Sequence, residues 1–101
     1  MLTSKQRAQL RGIGSRAETI VHIGKSGITE TVGKQVEEAL TAREIVKGKV
    51  LENAPITPRE ACDELSERCK AEQVQVIGSK FVLYRANPEL SPEKKLKLVR
   101  G

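Results

Sequence analysis

Aromatic residues are almost absent from this chain of 101 residues, which has one phenylalanine, one tyrosine and no tryptophan. Hydrophobic residues make up 38% of the sequence, so the core must be built from valine, isoleucine, leucine and alanine. Charged residues make up another 31%. This balance is typical of a folded globular domain with a modest core and excludes a disordered chain.

Groups that carry out chemistry are also scarce. The single histidine, His22, lies in an apolar strand without a recognisable nucleophile or acid beside it, and we expect a structural role for it. Cys62 and Cys69 would lie about 10 Å apart along a helix, too far for a disulfide, and their spacing fits no zinc motif. We therefore expect two buried, reduced thiols. The sequence predicts no catalytic site, no metal site and no cofactor.

No apolar run approaches the ~20 residues that cross a bilayer, so we expect no membrane segment. The first residues lack the apolar stretch of a signal peptide, and we expect a cytoplasmic protein. The length is that of one domain, which we place at residues 1–86. Residues 87–101, rich in lysine and proline, are predicted to form a basic, loosely ordered C-terminal tail.

Positive charge dominates both ends of the chain. The net charge is +5, made up of +3 for residues 1–56, −2 for residues 57–72 and +4 for residues 73–101. Basic surfaces attract polyanions over about one Debye length. The acidic middle segment should repel nucleic acid, so an anion-binding surface is expected elsewhere.

Hydrophobic periodicity predicts seven elements in the order helix, strand, helix, strand, helix, strand, strand. The helices are expected at residues 4–11, 29–42 and from 58 onward, the first ending at Gly12 and Gly14. The strands are expected at residues 19–23, 44–51, 73–77 and 81–85, the last two forming a hairpin. This order predicts an α/β domain with a four-stranded mixed sheet.

The third helix has the clearest start signal. Thr57 is an expected N-cap, Pro58 is the first helical residue and Glu60 completes a capping box. In the helix that follows, the cysteines should face the core. The opposite, solvated face is acidic and consists of Glu60, Asp63, Glu64 and Glu67.

A glycine turn links the first strand to the second helix. Gly24-Lys25-Ser26 resembles part of a P-loop, but that motif needs glycine at position 19, where this chain has threonine, so we do not expect a nucleotide hydrolase. The turn, Gly24 to Gly27, could expose amides at a helix N-terminus and hold a backbone phosphate beside Lys25. It could equally be a plain turn whose glycines meet its backbone angles.

Other cations form short stripes. Arg7 and Arg11 are expected on the outer face of the first helix, and Lys47 and Lys49 on one face of the second strand. Each stripe could bind a polyanion, or could be a solvated face or lysines that protect a sheet edge. Phe81 and Tyr84 should point to opposite faces of the sheet, so at most one could stack on a base.

Four segments together resemble the CRM domain family (chloroplast RNA splicing and ribosome maturation), in particular its bacterial stand-alone YhbY-type members. The segments occur in family order within residues 2–85: residues 2–7 (LTSKQR), 23–29 (IGKSGIT), 44–47 (EIVK) and 76–85 (VIGSKFVLYR). One departure is Gly48, where the family usually has a bulkier apolar residue, and which could mark a bulge.

The resemblance implies a four-stranded mixed sheet with three helices, similar to the C-terminal domain of bacterial translation initiation factor three. It also implies RNA binding through the glycine loop, and an association with precursors of the large ribosomal subunit. The RNA contacts expected from the loop and the neighbouring basic residues are Gly24, Lys25, Ser26, Gly27, Lys5, Arg7, Arg11, Lys34, Lys47, Lys49 and Lys80.

We therefore expect a monomeric RNA-binding protein, not an enzyme, whose partner is large-subunit ribosomal RNA or its precursor. Ribosomal proteins are possible further partners. The alternative is a protein-interaction module that docks a ribosomal protein or factor through the acidic helix face or the tail. Nuclease treatment would distinguish the two, because only a protein complex should survive it.

Overall fold

The computed structural model describes residues 2–100 and confirms the predicted order of elements. One pair of neighbouring strands is parallel and the other two pairs are antiparallel, so the sheet is mixed, as expected. The elements in chain order are α1 (Ser4–Arg16), β1 (Val21–Ile23), α2 (Glu30–Arg43), β2 (Ile45–Val50), α3 (Pro58–Cys69), β3 (Glu72–Ile77) and β4 (Lys80–Tyr84).

Each helix begins at a threonine whose hydroxyl accepts a hydrogen bond from a backbone amide of the first turn. Thr3 and Thr57 form complete capping boxes with Gln6 and Glu60, and Thr29 caps α2. These caps satisfy amides that the helix itself leaves without an acceptor. The predicted start of α3 is confirmed residue by residue.

The predicted end of α1 is wrong, because the helix continues past Gly12 and Gly14 as far as Arg16. Gly14 is buried, and a Cβ placed there would lie 3.0 Å from both γ-carbons of Val82. This glycine therefore allows the helix to lie close against the sheet. It does not serve as a stop signal.

The strands lie in the order β1-β2-β4-β3, so the final hairpin inserts β4 beside β2. Helices α2 and α3 cover one face of the sheet. Their core includes Val36, Leu40 and Leu65, packed with Phe81 and Leu83 of β4. Both cysteines are buried in this layer, as predicted.

Helix α1 covers part of the opposite face. Its Leu10 packs with Ile45, Val74, Val82 and Tyr84 in a smaller cluster. The molecule therefore has three layers, with α1 on one side of the sheet and the helix pair on the other.

Gly48 does not form a bulge, and it pairs regularly with Phe81. A Cβ at this position would overlap the Phe81 ring, which is fully buried. The glycine thus makes room for the one phenylalanine of the core. The irregularity of the sheet lies in β3 instead, where Val74 is an extra residue between Gln73 and Gln75.

Glu44 was predicted to open the second strand, but it ends α2 in the left-handed conformation, with φ of 65°. Its buried carboxylate accepts hydrogen bonds from the amides of Asn87 and Leu96, at 2.6 and 2.8 Å, and from Lys95 Nζ at 3.3 Å. Burial alone would raise the pKa of this carboxyl group, but the two amides and Lys95 lower it below its ordinary value.

The C-terminal segment, residues 85–100, contains no helix or strand, and its last part lies against α1. Leu96 and Leu98 pack against the α1-side cluster. The side chains of Gln6 and Gln9 bond the backbone of Val99, at 2.9 and 2.7 Å. Loose ordering of the tail stays a prediction.

None of the helices in residues 2–100 has the length and apolar character needed to cross a membrane.

Candidate nucleic-acid interface

The glycine loop is a closed turn between β1 and α2. The Gly27 amide donates to the Gly24 carbonyl oxygen at 2.9 Å. Gly27 is buried with φ of +69°, which a residue with a side chain rarely adopts, and a Cβ there would lie 3.4 Å from Pro55 Cγ. Lys25 and Ser26 are exposed at the tip. One glycine thus meets a conformational need, and the tip faces solvent.

The N-terminus of α2 follows the loop after two residues. The Thr29 hydroxyl already accepts from the Val32 amide at 3.2 Å, and Glu30 places an acid in the first turn. An acid at this position partly balances the positive end of the helix dipole. Attraction for a phosphate must therefore come mainly from Lys25 and the cations around the loop.

Three segments meet at the end of the sheet where the loop lies. β1 and β2 run parallel, with Ile23 beside Val50, so both end here. The Val50 amide donates to the Ser79 carbonyl oxygen at 2.8 Å, which brings the turn between β3 and β4 to the same end. The loop and this turn therefore border one edge of the sheet.

The lysines of β2 and β4 lie on the sheet face that carries α1. Lys49 pairs with Lys80 on one side and with His22 on the other, and Lys47 is two residues along the same strand. Alternation in the strands points these side chains away from α2 and α3. We call Lys47, Lys49, Lys80 and His22 the lysine face.

Helix α1 leaves the lysine face open. It covers the far part of the sheet, where Ile45, Val74 and Tyr84 lie, and its last turn reaches only as far as Lys47. Lys47 Nζ lies 3.5 Å from the Ser15 carbonyl oxygen. Within residues 2–100, no carboxylate lies within ion-pair distance of the lysines of this face. Their charge is therefore available to an anionic ligand.

The other predicted contacts are more dispersed. Lys5 and Arg11 are exposed on α1. Arg7 does not belong to an outer stripe: its guanidinium donates to the Gln73 carbonyl oxygen at 2.7 Å and pairs with Glu72 at 3.2 Å. It binds the edge of β3 and supports the fold there.

Lys34 lies on the other side of the molecule. It borders a groove between α2 and α3, together with Glu30, Glu37 and Arg68. The charges of this groove are mixed. The structure therefore places Lys47, Lys49 and Lys80 on one face of the sheet, with the loop at the end of that sheet, and leaves Lys34 apart from them.

Two features of this surface were missed or misjudged from the sequence. His22 is exposed beside Lys49 and not packed in the core, and the alternation of Val21, His22 and Ile23 could have indicated this. Ile77 is 60% exposed next to the lysine face. The opposite orientation of Phe81 and Tyr84 is confirmed, but both rings are buried, so neither can stack on a base.

The side chains of this surface contribute positive charge. Among the described residues, no three histidine, cysteine or acidic side chains are placed to hold a metal ion. Burial raises the pKa of the Cys62 thiol to about 11, so it is protonated near neutral pH and is a poor nucleophile.

Comparison with known proteins gives consistent results. The model of the CRS1/YhbY (CRM) domain family matches residues 2–85. The chain is 36% identical over 89 residues to "Probable RNA-binding protein YqeI" of Bacillus subtilis, covering 88% of this chain and 93% of that one. It is 35% identical over 88 residues to an "RNA-binding protein" of Haemophilus influenzae, covering 87% and 89%.

A solved structure has the same fold. The solution structure of SAV1595 from Staphylococcus aureus is 39% identical to this chain, with a TM-score of 0.77, and the match covers 98% of this chain and all of the other. Family match, sequence identity and fold agree over nearly the whole length. The chain belongs to the CRS1/YhbY (CRM) domain family.

Proposed function

We propose that this protein binds RNA through one continuous surface, formed by the loop from Gly24 to Gly27 and the lysine face. The observation that carries the proposal is the set of lysines beside the loop without a carboxylate partner among the described residues. RNA binding is also the property in the names of the relatives. Exposed cations that neutralise phosphates supply most of the affinity of such a surface.

Within this proposal the predicted contacts have unequal roles. Lys25 and the Ser26 amide would contact phosphate at the loop, and Lys47, Lys49 and Lys80 would hold the strand that continues over the sheet. Lys5 and Arg11 would extend the positive field along α1. Arg7 is hydrogen-bonded to β3 and Lys34 faces the groove of mixed charge, so we expect both to contribute less to RNA affinity.

We further propose that the RNA is large-subunit ribosomal RNA or its precursor and that the protein acts as an assembly factor, by binding and not by catalysis. The resemblance to the bacterial stand-alone members supports this role. The protein would work in the cytoplasm as a monomer without a cofactor. Sedimentation of cell extracts should place it with large-subunit precursors, and nuclease treatment should release it.

The binding mode is tested by the salt dependence of affinity. For single strands, log Kd against log salt should have a slope of about 0.7 per phosphate neutralised. Fluorescence anisotropy with labelled RNA over a range of salt concentrations gives this slope directly. Absence of binding at low salt, or a flat response, would overturn the proposal.

The loop is tested by Lys25→Glu. We expect affinity to fall about 5- to 10-fold at moderate salt, and the slope to fall by about 0.7, because one phosphate contact is lost. Lys94→Glu is the matched control, since it makes the same charge change on an exposed lysine of the tail. Equal losses for the two variants would show that only net charge matters and would remove the loop from the site.

One observation favours a second candidate function. The outer face of α3 exposes Glu60, Asp63, Glu64 and Glu67, on the side of the sheet opposite the lysine face. Such a face could dock a basic ribosomal protein. In that case the complex should survive nuclease treatment and should not respond to Lys25→Glu.

A further inference from the structure

A small cleft opens between the last turn of α1 and the sheet, next to the lysine face. Its volume is about 220 Å³. Gly14 and Val82 form its apolar base, and Ile77 borders it. Clefts that hold drug-sized ligands measure about 300–1,000 Å³, so this one suits a smaller planar group.

The irregularity in β3 gives the cleft its lining. Gln73 points toward α3, where its side-chain amide bonds Asp63 and Ser66. Regular alternation would then turn Gln75 and Ile77 toward α3 as well. The extra residue at Val74 shifts the register, so that Gln75 lies opposite Val82 and both Gln75 and Ile77 border the cleft. Bulges commonly re-aim side chains in this way at binding sites.

Polar and charged groups surround the apolar base. Lys47 and Lys80 border the cleft on neighbouring strands. The side-chain amide of Gln75, which borders the cleft, makes no hydrogen bond to any group in residues 2–100, and so offers two N–H donors and an accepting oxygen. An occupant therefore needs an apolar, planar body, polar edges and a negative charge attached nearby.

We propose that this cleft holds one unstacked nucleobase of a single-stranded RNA segment, with Ile77 against the base and Gln75 at its polar edge. This subsite rests on the proposed RNA-binding function and deepens it. Single-stranded RNA is generally recognised through unstacked bases, usually on aromatic side chains. Here both aromatic rings are buried, and the exposed Ile77 provides the apolar contact instead.

The test compares strands with and without bases. The parent protein is titrated with a short labelled oligoribonucleotide and with an abasic strand of the same length and charge. We expect roughly tenfold tighter binding of the strand that carries bases, because the base covers the exposed part of Ile77 and meets the polar side chain of Gln75. The salt slope should be the same for both strands, because both carry the same phosphates.

Substitutions then assign the preference to the cleft. Ile77→Ser should reduce it to about 3-fold or less, because the apolar contact is lost. Affinity for the abasic strand should not change. Ile77→Tyr should restore or raise the preference by stacking. Ile20→Ser is the matched control, since Ile20 is also exposed but lies against α2. Ile77 is largely exposed, so its variants should fold, and circular dichroism checks this.

The outcomes separate the two proposals. If the parent binds both strands equally well but with a steep salt response, the base subsite is wrong and the RNA-binding function stands. If Ile77→Ser keeps the full preference, the cleft is not the place where bases are read. If neither strand binds even at low salt, the RNA-binding function itself fails.

Discussion

Replacing Glu44 by glutamine should release the C-terminal segment while leaving most of the fold in place. The carboxylate is 1% exposed and holds the amides of Asn87 and Leu96 together with Lys95 Nζ. Glutamine has the same shape but only one accepting oxygen. Its NH₂ group must therefore face one of the two amides, and Lys95 loses its counter-charge.

The size of the effect on docking follows from the backbone amide that loses its acceptor. A buried donor without an acceptor costs about 1–3 kcal/mol. Lys95 is one-third exposed, so water compensates for much of its lost ion pair, and we add little for it. We expect Glu44→Gln to weaken docking of the segment by about 1–3 kcal/mol in total. If docking of the segment contributes less free energy than this, the segment detaches, and the loss of stability cannot exceed the free energy of docking.

Trypsin provides the assay, because Lys94, Lys95 and Lys97 lie in the segment. Cleavage there should be much faster in Glu44→Gln than in the parent, whereas urea unfolding of the remaining domain should shift less. Glu93→Gln is the matched control, since Glu93 is exposed in the same segment. Equal cleavage rates in the parent and in Glu44→Gln at neutral pH would refute the anchoring role.

The pH dependence has a definite sign. The folded-state pKa of Glu44 is lowered from its ordinary value of 4.5, so the folded state favours the ionised form. The stability that this group contributes is then complete above the unfolded-state pKa and is lost as pH falls through the folded-state pKa. Docking of the segment should weaken below about pH 4.5 in the parent. Glu44→Gln should lack this part of the acid response.

Two further substitutions test the packing and the lysine face. Gly48→Ala should destabilise the fold by about 1–3 kcal/mol in urea unfolding, because the new methyl group overlaps Phe81. Gly12→Ala should be neutral or stabilising, because a Cβ there makes only an ordinary contact with Arg16 Nη1, at 3.8 Å, and equal effects of the two substitutions would contradict the packing argument. Lys49→Glu should weaken RNA binding yet leave the melting temperature unchanged or slightly raised, because it replaces a like-charge pair with Lys80 by an opposite one; a lower melting temperature would refute this reasoning.

Features fixed by neighbouring residues could be predicted from the sequence. The start of α3 depends only on Thr57, Pro58 and Glu60, which are close in the chain. The alternation of β2 likewise places Val46 and Val50 in the core and the lysines on the other face. The order of elements follows from such local patterns, and so does the mixed sheet.

Features fixed by distant residues could not be predicted. The role of Gly14 depends on Val82, and that of Gly48 depends on Phe81. Glu44 looked like a strand residue because its partners lie more than 40 positions away. In each case a local rule was correct as a tendency, and a tertiary contact overrode it.

The candidate site was predicted in part for the same reason. The loop, the β2 lysines and Lys80 were predicted as contacts from the sequence, and the sheet pairing that places Lys80 and His22 beside Lys49 is long-range. Arg7 was misjudged because its partner strand, β3, lies far along the chain. The cleft beside Ile77 depends on the bulge at Val74, which no local pattern indicates.

The lysine face contributes little to folding, and this supports the binding role proposed for it. Lys49 and Lys80 lie directly opposite each other on paired strands, where like charges are destabilising by about 0.2–1 kcal/mol. Ile77 is left largely exposed beside them, although burying an isoleucine gains about 1.5–3 kcal/mol. Helix α1 ends at Arg16 and packs on the other part of this face, around Ile45 and Tyr84. An anionic ligand bound to this surface would neutralise the like charges and cover the exposed Ile77, and so would offset the terms that are unfavourable to stability.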